Sequence, residues 1–232
     1  MHDPCFARAG INAPRRALSP TETLRPALVK TSFSAESSFS AAAPAQKYTR
    51  VAVLLHWSIA LLMLGNVALG LTAALLPDGT LSDENIRFVI DTHKSIGITV
   101  LGLGLLRLLW RWGHPPPPFP PSYTPWERFS AHAAHYGLYV LIFALPLSGW
   151  MHDSAWAQAA SHPMRLFGLV PWPRIGYIMD QPAALKDSLH ELFGTGHRWL
   201  GYALYVLVGL HILGALKHQF IDREPELQRM WP

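Results

Sequence analysis

The chain has 232 residues, of which 50% are hydrophobic and only 15% are Asp, Glu, Lys or Arg. Soluble domains usually carry about 25% charged residues, so this composition, with its nine tryptophans, predicts a protein embedded in a lipid bilayer. The formal net charge of +4 does not indicate nucleic-acid binding, because the basic residues flank apolar runs and form no patch with exposed aromatic residues.

The predicted elements begin after a polar segment. Residues 1–46 are rich in Ala, Ser, Pro and Arg and lack a helical apolar stripe, so we expect a disordered N-terminal segment. Residues 47–232 are expected to form one transmembrane domain. A spanning helix needs about 20 predominantly apolar residues, and four segments meet this requirement: 51–76, 87–112, 129–151 and 197–220. The predicted fold class is an all-α transmembrane four-helix bundle.

Basic residues indicate how the bundle is oriented. One side of the predicted bundle carries Lys47, Arg50, Arg111, Arg128, Lys217, Arg223 and Arg229. Positive charge in short loops marks the cytoplasmic side, so both termini are expected to be cytoplasmic in a multi-pass protein of the bacterial inner membrane. The Pro-rich linker 114–125 is then cytoplasmic, and the long loop 152–196 is periplasmic.

Histidines lie within the predicted spans, where ionisable side chains are costly and rare: His56 in the first, His93 in the second, and His197 and His211 in the fourth. The third span begins with His132 and His135 near its inner edge. At about 1.5 Å per residue, His56 and His211 both lie roughly 8–13 Å from the cytoplasmic surface. His93 lies roughly 9 Å from the periplasmic surface, on the side where His197 begins the fourth helix. Two level pairs are therefore predicted, His56 with His211 and His93 with His197.

The outer partner on the fourth helix has an alternative. His197 precedes His211 by 14 residues, nearly four helical turns, which puts both rings on one face about 21 Å apart. His190 keeps the same face at 21 residues, but its distance from His211 is about 31 Å. The second helix leaves roughly 15–20 Å between the two levels. This comparison favours His197 and keeps His190 as the alternative.

Each pair offers the donors of a b-type haem, which takes two axial imidazoles from facing helices. Cys5 is the only cysteine, so a covalently attached haem is excluded. Packing histidines and a zinc or copper site are alternatives, but two distant pairs do not favour a single tetrahedral site. Space for a flat ring is expected at glycines of the second and fourth helices: Gly97, Gly102, Gly104, Gly201, Gly209 and Gly214. Two haem b groups are thus predicted, with iron bound by His56, His93, His197 and His211.

Arg107 is a further candidate for cofactor binding. It follows His93 by 14 residues and therefore lies near the level of the inner pair. A guanidinium there can pair with a haem propionate. The alternative is an arginine whose side chain reaches the membrane surface.

Four segments in order resemble the prokaryotic cytochrome b561 family: YTRVAVLLHW (48–57), HKSIGITVLGLGLLRLLWRW (93–112), AHAAHYGLYVLIFALPLSG (131–149) and HRWLGYALYVLVGLHILGALKHQFIDRE (197–224). The resemblance covers about residues 47–230. It implies two b haems with bis-histidine ligation at His56, His93, His197 and His211. The family usually places an acidic residue after the outer ligand of the fourth helix, as in His190-Glu191, whereas Arg198 follows His197.

The resemblance also implies a function. One member of this family oxidises superoxide outside the cell membrane and reduces ubiquinone inside, so a superoxide oxidase that transfers electrons to quinone is expected. His218 and Lys217 are then candidates for quinone contact or proton delivery, with a surface histidine as the alternative. His132 and His135 lie near the same side. Basic residues at the outer side are expected to attract superoxide: Arg87, Lys94 and Arg198.

Two other functions fit the same sequence. In the first, the chain is a cytochrome b subunit that conducts electrons for a hydrogenase or dehydrogenase complex, with the redox partner protein docked on residues 152–196. In the second, the chain is a transporter or sensor without haem.

Overall fold

The computed structural model describes residues 47–77 and 79–231, so the expected N-terminal tail, residues 1–46, lies outside the described residues. Its elements are α1 (Arg50–Leu75), α2 (Asp83–Gly113), α3 (Pro125–Ser154), β1 (Arg165–Leu166), β2 (Val170–Pro171), α4 (Gly176–Met179), α5 (Ala183–Leu216), a π-helical turn (Lys217–Ile221) and α6 (Glu226–Arg229). Four helices, α1, α2, α3 and α5 with its π-helical turn, are long and apolar enough to cross a membrane. This confirms the predicted transmembrane four-helix bundle.

Side-chain caps define where the first three spans begin. Thr49 accepts a hydrogen bond from the amide of Ala52 at the start of α1, and Ser82 accepts one from Asn85 at the start of α2. Thr124 and Glu127 form a reciprocal capping box at the start of α3. Each cap satisfies an amide that the first helical turn leaves unpaired, which stabilises these starts by about 1 kcal/mol each.

The fourth long helix begins at Ala183, well before residue 197, where its apolar run starts. With 34 residues, α5 is about 51 Å long, against about 30 Å of hydrocarbon. Its first turns therefore extend beyond the membrane core, where polar residues such as Lys186 and Asp187 are solvated. The connection from α3 to α5 is correspondingly shorter than expected.

The ends of the four spanning helices lie on two sides of the bundle. We call the side where α1 begins and α5 ends the termini side, and the opposite side, which carries the connection from α3 to α5, the loop side. Helix α1 packs on α2, α2 on α3, and α3 on α5. In the described part of the chain, the α5 backbone makes no comparable packing against α1 or α2. A gap therefore separates α5 from the α1–α2 pair.

A short hairpin covers α2 on the loop side. Strands β1 and β2 pair antiparallel, and the turn between them contains Phe167 and Gly168, both with positive φ. The amide of Phe167 donates to the hydroxyl of Ser95, which is fully buried on α2. This bond fixes the hairpin two residues away from His93.

A buried ionic network joins the same connection to two helices. The carboxylate of Asp153, at the end of α3, lies 2.7 Å from the ammonium of Lys94 and 2.7 Å from the guanidinium of Arg174. Arg174 also donates to the carbonyls of Ala159 and His162. Asp153 thus holds α2 and the connection on the end of α3.

The C-terminal segment closes the termini side. The buried guanidinium of Arg229 donates to the carbonyls of Pro117 and Pro118 in the Pro-rich linker. The carbonyl of Arg229 accepts from the amide of Tyr48, and the carbonyl of Met230 accepts from the indole N–H of Trp57. The segment after α5 therefore ties the linker to the start of α1.

We expect Asp153→Asn to destabilise the protein by about 3 kcal/mol, because the change leaves the guanidinium of Arg174, 5% exposed, without its carboxylate and removes the nearer carboxylate of the half-buried Lys94. The measurement is the thermal unfolding midpoint in detergent, followed by circular dichroism. Asp187→Asn is the matched control, since the Asp187 side chain is exposed and forms no ion pair among the described residues. Equal midpoints for the two variants would contradict the network's role.

Candidate functional site

Histidine rings face each other across the gap between α5 and the α1–α2 pair. The rings of His56 and His211 have centroids 6.2 Å apart with an interplanar angle of 66° on the termini side. The rings of His93 and His197 have centroids 6.1 Å apart with an angle of 79° on the loop side. The structure therefore brings together the residues that the sequence predicted as two pairs.

The separation within each pair suits a metal between the rings. A metal–imidazole bond is about 2 Å long and a ring centroid lies about 1 Å behind its nitrogen, so two rings on opposite sides of one metal have centroids about 6 Å apart. Both pairs meet this spacing. Helix α5 stands away from α1 and α2 at this place, which leaves a gap between the helices that carry the ligands.

The loop-side pair has its second ring nitrogens engaged by backbone. Nδ1 of His93 lies 3.0 Å from the carbonyl oxygen of Asn66 on α1. Nδ1 of His197 lies 3.1 Å from the carbonyl oxygen of Leu145 and 3.0 Å from the hydroxyl of Ser148 on α3. Carbonyl acceptors require a proton on Nδ1, which leaves the lone pair of Nε2 for a metal.

Two glycines allow these rings to approach the neighbouring helices. A Cβ atom at Gly70 would lie 3.1 Å from Cε1 of His93, and one at Gly149 would lie 3.3 Å from Cε1 of His197. Each glycine follows the accepting carbonyl by four residues, 70 after 66 and 149 after 145. Sequence reasoning considered glycines of the second and fourth helices only and missed both. The four-residue spacing between each accepting carbonyl and its glycine is visible in the sequence. It indicates a contact only once the packing of the helices is known.

The six glycines considered from sequence have different surroundings. A Cβ at Gly104 would lie 2.5 Å from the side chain of Ile142, so this glycine serves helix packing. Gly97 and Gly201 have their nearest contacts at 3.8 and 3.6 Å, and nothing lies within 4 Å of a Cβ at Gly102, Gly209 or Gly214. Open space at Gly102, Gly209 and Gly214 leaves the expected room for a flat ring as a prediction.

Arg107 lies beside the termini-side pair. Its guanidinium donates to the carbonyl of Ala52, one helical turn before His56, and to the hydroxyl of Tyr139 at 2.9 and 3.1 Å respectively. The Arg107 side chain thus points between α1 and α3. His135 also lies here, with its ring centroid 5.2 Å from that of His211 and its Nδ1 2.7 Å from the carbonyl of Ala131.

His190 does not face His93. Its ring stacks on His152 of α3 with centroids 3.8 Å apart, and the Nδ1 atom of each ring lies within 3.0 Å of the other residue's carbonyl oxygen. A Cβ at Gly194 would lie 2.7 Å from the His152 ring, so a glycine is needed at this crossing. The structure places His197, and not His190, opposite His93.

His218 belongs to a polar cluster on the termini side. Its Nδ1 lies 2.7 Å from a carboxylate oxygen of Asp222, and its ring stacks on Tyr123 with centroids 4.1 Å apart. Lys217 donates to Asp222 and Glu127. Hydrogen bonds from Lys217 hold the pKa of Asp222 below its usual range, with a smaller contribution from His218. Burial, followed by the nearby Glu226 carboxylate, raises the pKa of Tyr123.

The same cluster is the only place in residues 47–77 and 79–231 where three potential ligands for a free metal ion converge: Glu127, His218 and Asp222. The ammonium of Lys217 already bridges both carboxylates. Lys217 therefore compensates one of the two negative charges and occupies oxygen atoms that a metal ion would need. The two histidine pairs are the better candidates for metal binding.

The basic residues expected on the loop side differ in their pairing. Lys94 is bound by Asp153 and also lies 3.4 Å from Asp91, so its charge is compensated. Arg198 is exposed and donates to the hydroxyl of Thr195, and Arg87 is exposed near the start of α2. Of these three residues, only Arg87 and Arg198 expose a positive charge to solvent.

Comparison with known proteins agrees with the geometry. Residues 47–232 match the family described as Prokaryotic cytochrome b561. The chain is 35% identical over 187 residues to Cytochrome b561 homolog 2 of Escherichia coli (strain K12), covering 80% of this chain and 91% of that protein. It is 30% identical over 140 residues to Probable superoxide oxidase CybB of Yersinia pestis, covering 60% and 73%. Cytochrome b561 homolog 1 of Escherichia coli (strain K12) is 23% identical over 186 residues, covering 80% and 97%.

The match spans every described helix, and its members carry haem b and transfer electrons in membranes. The four spanning helices agree with a multi-pass protein of the bacterial inner membrane. The chain belongs to the prokaryotic cytochrome b561 family.

Proposed function

We propose that the chain is a dihaem cytochrome that carries electrons from superoxide on the periplasmic side to ubiquinone on the cytoplasmic side. The observation that carries this proposal is the pair of facing imidazoles at each level, with centroids 6.2 and 6.1 Å apart. His56 and His211 would hold one haem b, and His93 and His197 would hold the other. Arg107 would pair with a propionate of the termini-side haem.

The two levels lie at a distance that suits electron transfer through a bilayer. His197 and His211 are 14 residues apart on one straight helix, which separates them by about 21 Å along its axis. Haem b supplies one-electron carriage when it is bound. The protein's contribution is to fix both rings in one gap and to exclude other ligands from them.

The distribution of charged residues supports the proposed direction of electron transfer. The termini side carries Lys47, Arg50, Arg111, Arg128 and Lys217, as expected for a cytoplasmic surface. On the loop side, the exposed guanidinium of Arg198 directly follows His197 in the chain. A positive charge at this place raises the local concentration of an anionic substrate such as superoxide. The name of the relative CybB gives this substrate as the first to test.

The termini side offers groups for proton transfer to a quinone. Two superoxide anions release one electron each and leave as dioxygen, while one quinone takes up two electrons and two protons to form a quinol. His218 is oriented by Asp222 at 2.7 Å and lies in the π-helical turn that follows α5. An imidazole oriented by a carboxylate is suited to deliver a proton, and the nearby acidic side chains can collect protons from solvent. Lys217 holds Asp222 in place.

Removing single histidines tests the ligand assignment. We expect His56→Ala, His93→Ala, His197→Ala and His211→Ala each to lower the haem content of the purified protein to about one haem or less, because each change removes one of the two histidines that would hold a haem at that level. The measurement is haem per polypeptide by the pyridine haemochrome assay. His135→Ala and His190→Ala are matched controls that remove nearby rings, one on α3 and one on α5. If a control variant loses haem while the corresponding ligand variant keeps two haems, the histidine removed in the control would be assigned as the ligand instead.

Gly70 tests the support of the loop-side pair. We expect Gly70→Val to weaken haem retention by about tenfold, because the added side chain displaces His93 from the Asn66 carbonyl. Haem retention is followed by absorbance during dilution into apomyoglobin. Gly65→Val on the same helix is the control, since nothing lies within 4 Å of a Cβ at that position. Equal retention in both variants would argue against this contact.

The activity is tested with the purified, haem-containing protein and a soluble ubiquinone analogue. We expect quinol to form when superoxide is generated enzymatically, and superoxide dismutase to suppress it. His218→Gln should slow quinol formation by about 10²-fold if His218 delivers protons. Haem reduction by superoxide should be unchanged in this variant. A protein that contains two haems but forms no quinol from superoxide would overturn the proposal.

A second function is favoured by the hairpin of the loop side. Phe167, Leu169 and Val170 are exposed there by 56, 78 and 56%. An apolar tip of this kind suits contact with a redox partner, as in the cytochrome subunit of a hydrogenase or dehydrogenase complex. Inactivity towards superoxide, with full haem content, would favour this second function.

A further inference from the structure

We propose that the two levels differ in reduction potential, with the His93–His197 level lower and the His56–His211 level higher, and that Ser148 and Arg107 set this difference. The inference rests on the proposed function, since it requires a haem at each level. It assigns to Ser148 a role that neither its sequence position nor the family match indicates.

On the loop side, both imidazoles donate to acceptors. His93 donates from Nδ1 to the Asn66 carbonyl at 3.0 Å. His197 donates from Nδ1 to the Leu145 carbonyl and to Ser148. The Ser148 hydroxyl itself donates to the Leu145 carbonyl at 2.9 Å, so the Ser148 oxygen presents a lone pair to His197. An acceptor on Nδ1 makes the imidazole a stronger base at Nε2, which stabilises the oxidised iron and lowers the potential.

On the termini side, the second nitrogens have no such acceptors. Within residues 47–77 and 79–231, the ring nitrogens of His56 and His211 form no hydrogen bond. The backbone carbonyl one turn before His56, that of Ala52, accepts from Arg107 instead. These two imidazoles are therefore weaker bases than those of the loop side, which leaves the oxidised iron less stabilised.

The charge of Arg107 shifts the reduction potentials in the same direction as the hydrogen bonds do. The guanidinium of Arg107 is bound to the backbone one turn before His56, and its hydrogen-bond partners among the described residues, the Ala52 carbonyl and the Tyr139 hydroxyl, are neutral. The cation next to His93 is Lys94, but Asp153 and Asp91 compensate it. A guanidinium that no carboxylate of the described residues compensates disfavours the additional positive charge of oxidised iron, and a propionate paired with it would stabilise that charge less. Both effects would raise the potential of the termini-side level. Electron transfer from the loop side to the termini side is then downhill.

The experiment is a redox titration of the purified, haem-containing protein, followed at the haem absorption bands and fitted to two one-electron waves. Ser148→Ala removes an acceptor from His197 without adding volume. We expect it to raise only the lower wave, by about three- to tenfold in the reduction equilibrium, which is about 30–60 mV at 59 mV per tenfold change. Arg107→Gln should lower only the upper wave.

Matched controls lie on the same two helices. Ser130→Ala removes a hydroxyl that donates to the carbonyl three residues before it, as the Ser148 hydroxyl does, but at an exposed site of α3. It should move neither wave. Arg111→Gln removes a cation one turn beyond Arg107 and should shift the upper wave less than Arg107→Gln does. Haem content is measured for every variant, so that a lost haem is not read as a shifted wave.

The outcomes separate the inference from the proposed function. Fewer than two haems in the unaltered protein would overturn both. Two haems with a Ser148→Ala variant that raises the upper wave, or moves neither wave, would overturn the inference and leave the dihaem assignment intact. An Arg107→Gln variant that raises the upper wave or moves the lower wave would also overturn the inference and leave the dihaem assignment intact.

Discussion

Two imidazoles that meet across a gap between helices are the contact on which the arrangement of this protein depends. Helix α5 packs on α3, and α1 packs on α2, whereas α5 faces the α1–α2 pair where His56 meets His211 and His93 meets His197. A protein interior is normally close-packed. A gap between these helices therefore agrees with the haem b that members of this family carry.

The remaining features follow from the need to hold polar rings in a membrane. A hydrogen-bond partner for its second nitrogen stabilises an imidazole in hydrocarbon. On the loop side the chain meets this need with backbone carbonyls, and Gly70 and Gly149 let the rings come close enough. The ionic network around Asp153 then anchors the connection from α3 to α5 above this level. On the termini side, Arg107 occupies the space between α1 and α3.

Much of this could be predicted from sequence. The four spans, the two histidine levels and the favoured choice of His197 over His190 all follow from hydropathy and helical rise, because both properties are local. The start of α5 at Ala183 could not, since a polar helix outside the membrane resembles a loop by composition. The roles of Gly70 and Asp153 depend on contacts between helices that are far apart in sequence. Spacing along one helix carries no information about which neighbour it meets, so these contacts appear only in three dimensions.

The C-terminal segment has a consequence for biogenesis. Arg229 binds the carbonyls of Pro117 and Pro118, and Met230 binds Trp57, which precedes all of α2 in the chain. The ribosome makes this segment after every membrane helix has been synthesised. The linker and the start of α1 therefore lack these contacts through most of translation. The termini side of the cytochrome closes as one of the last events of assembly. Cofactor insertion from that side would have to take place before this closure.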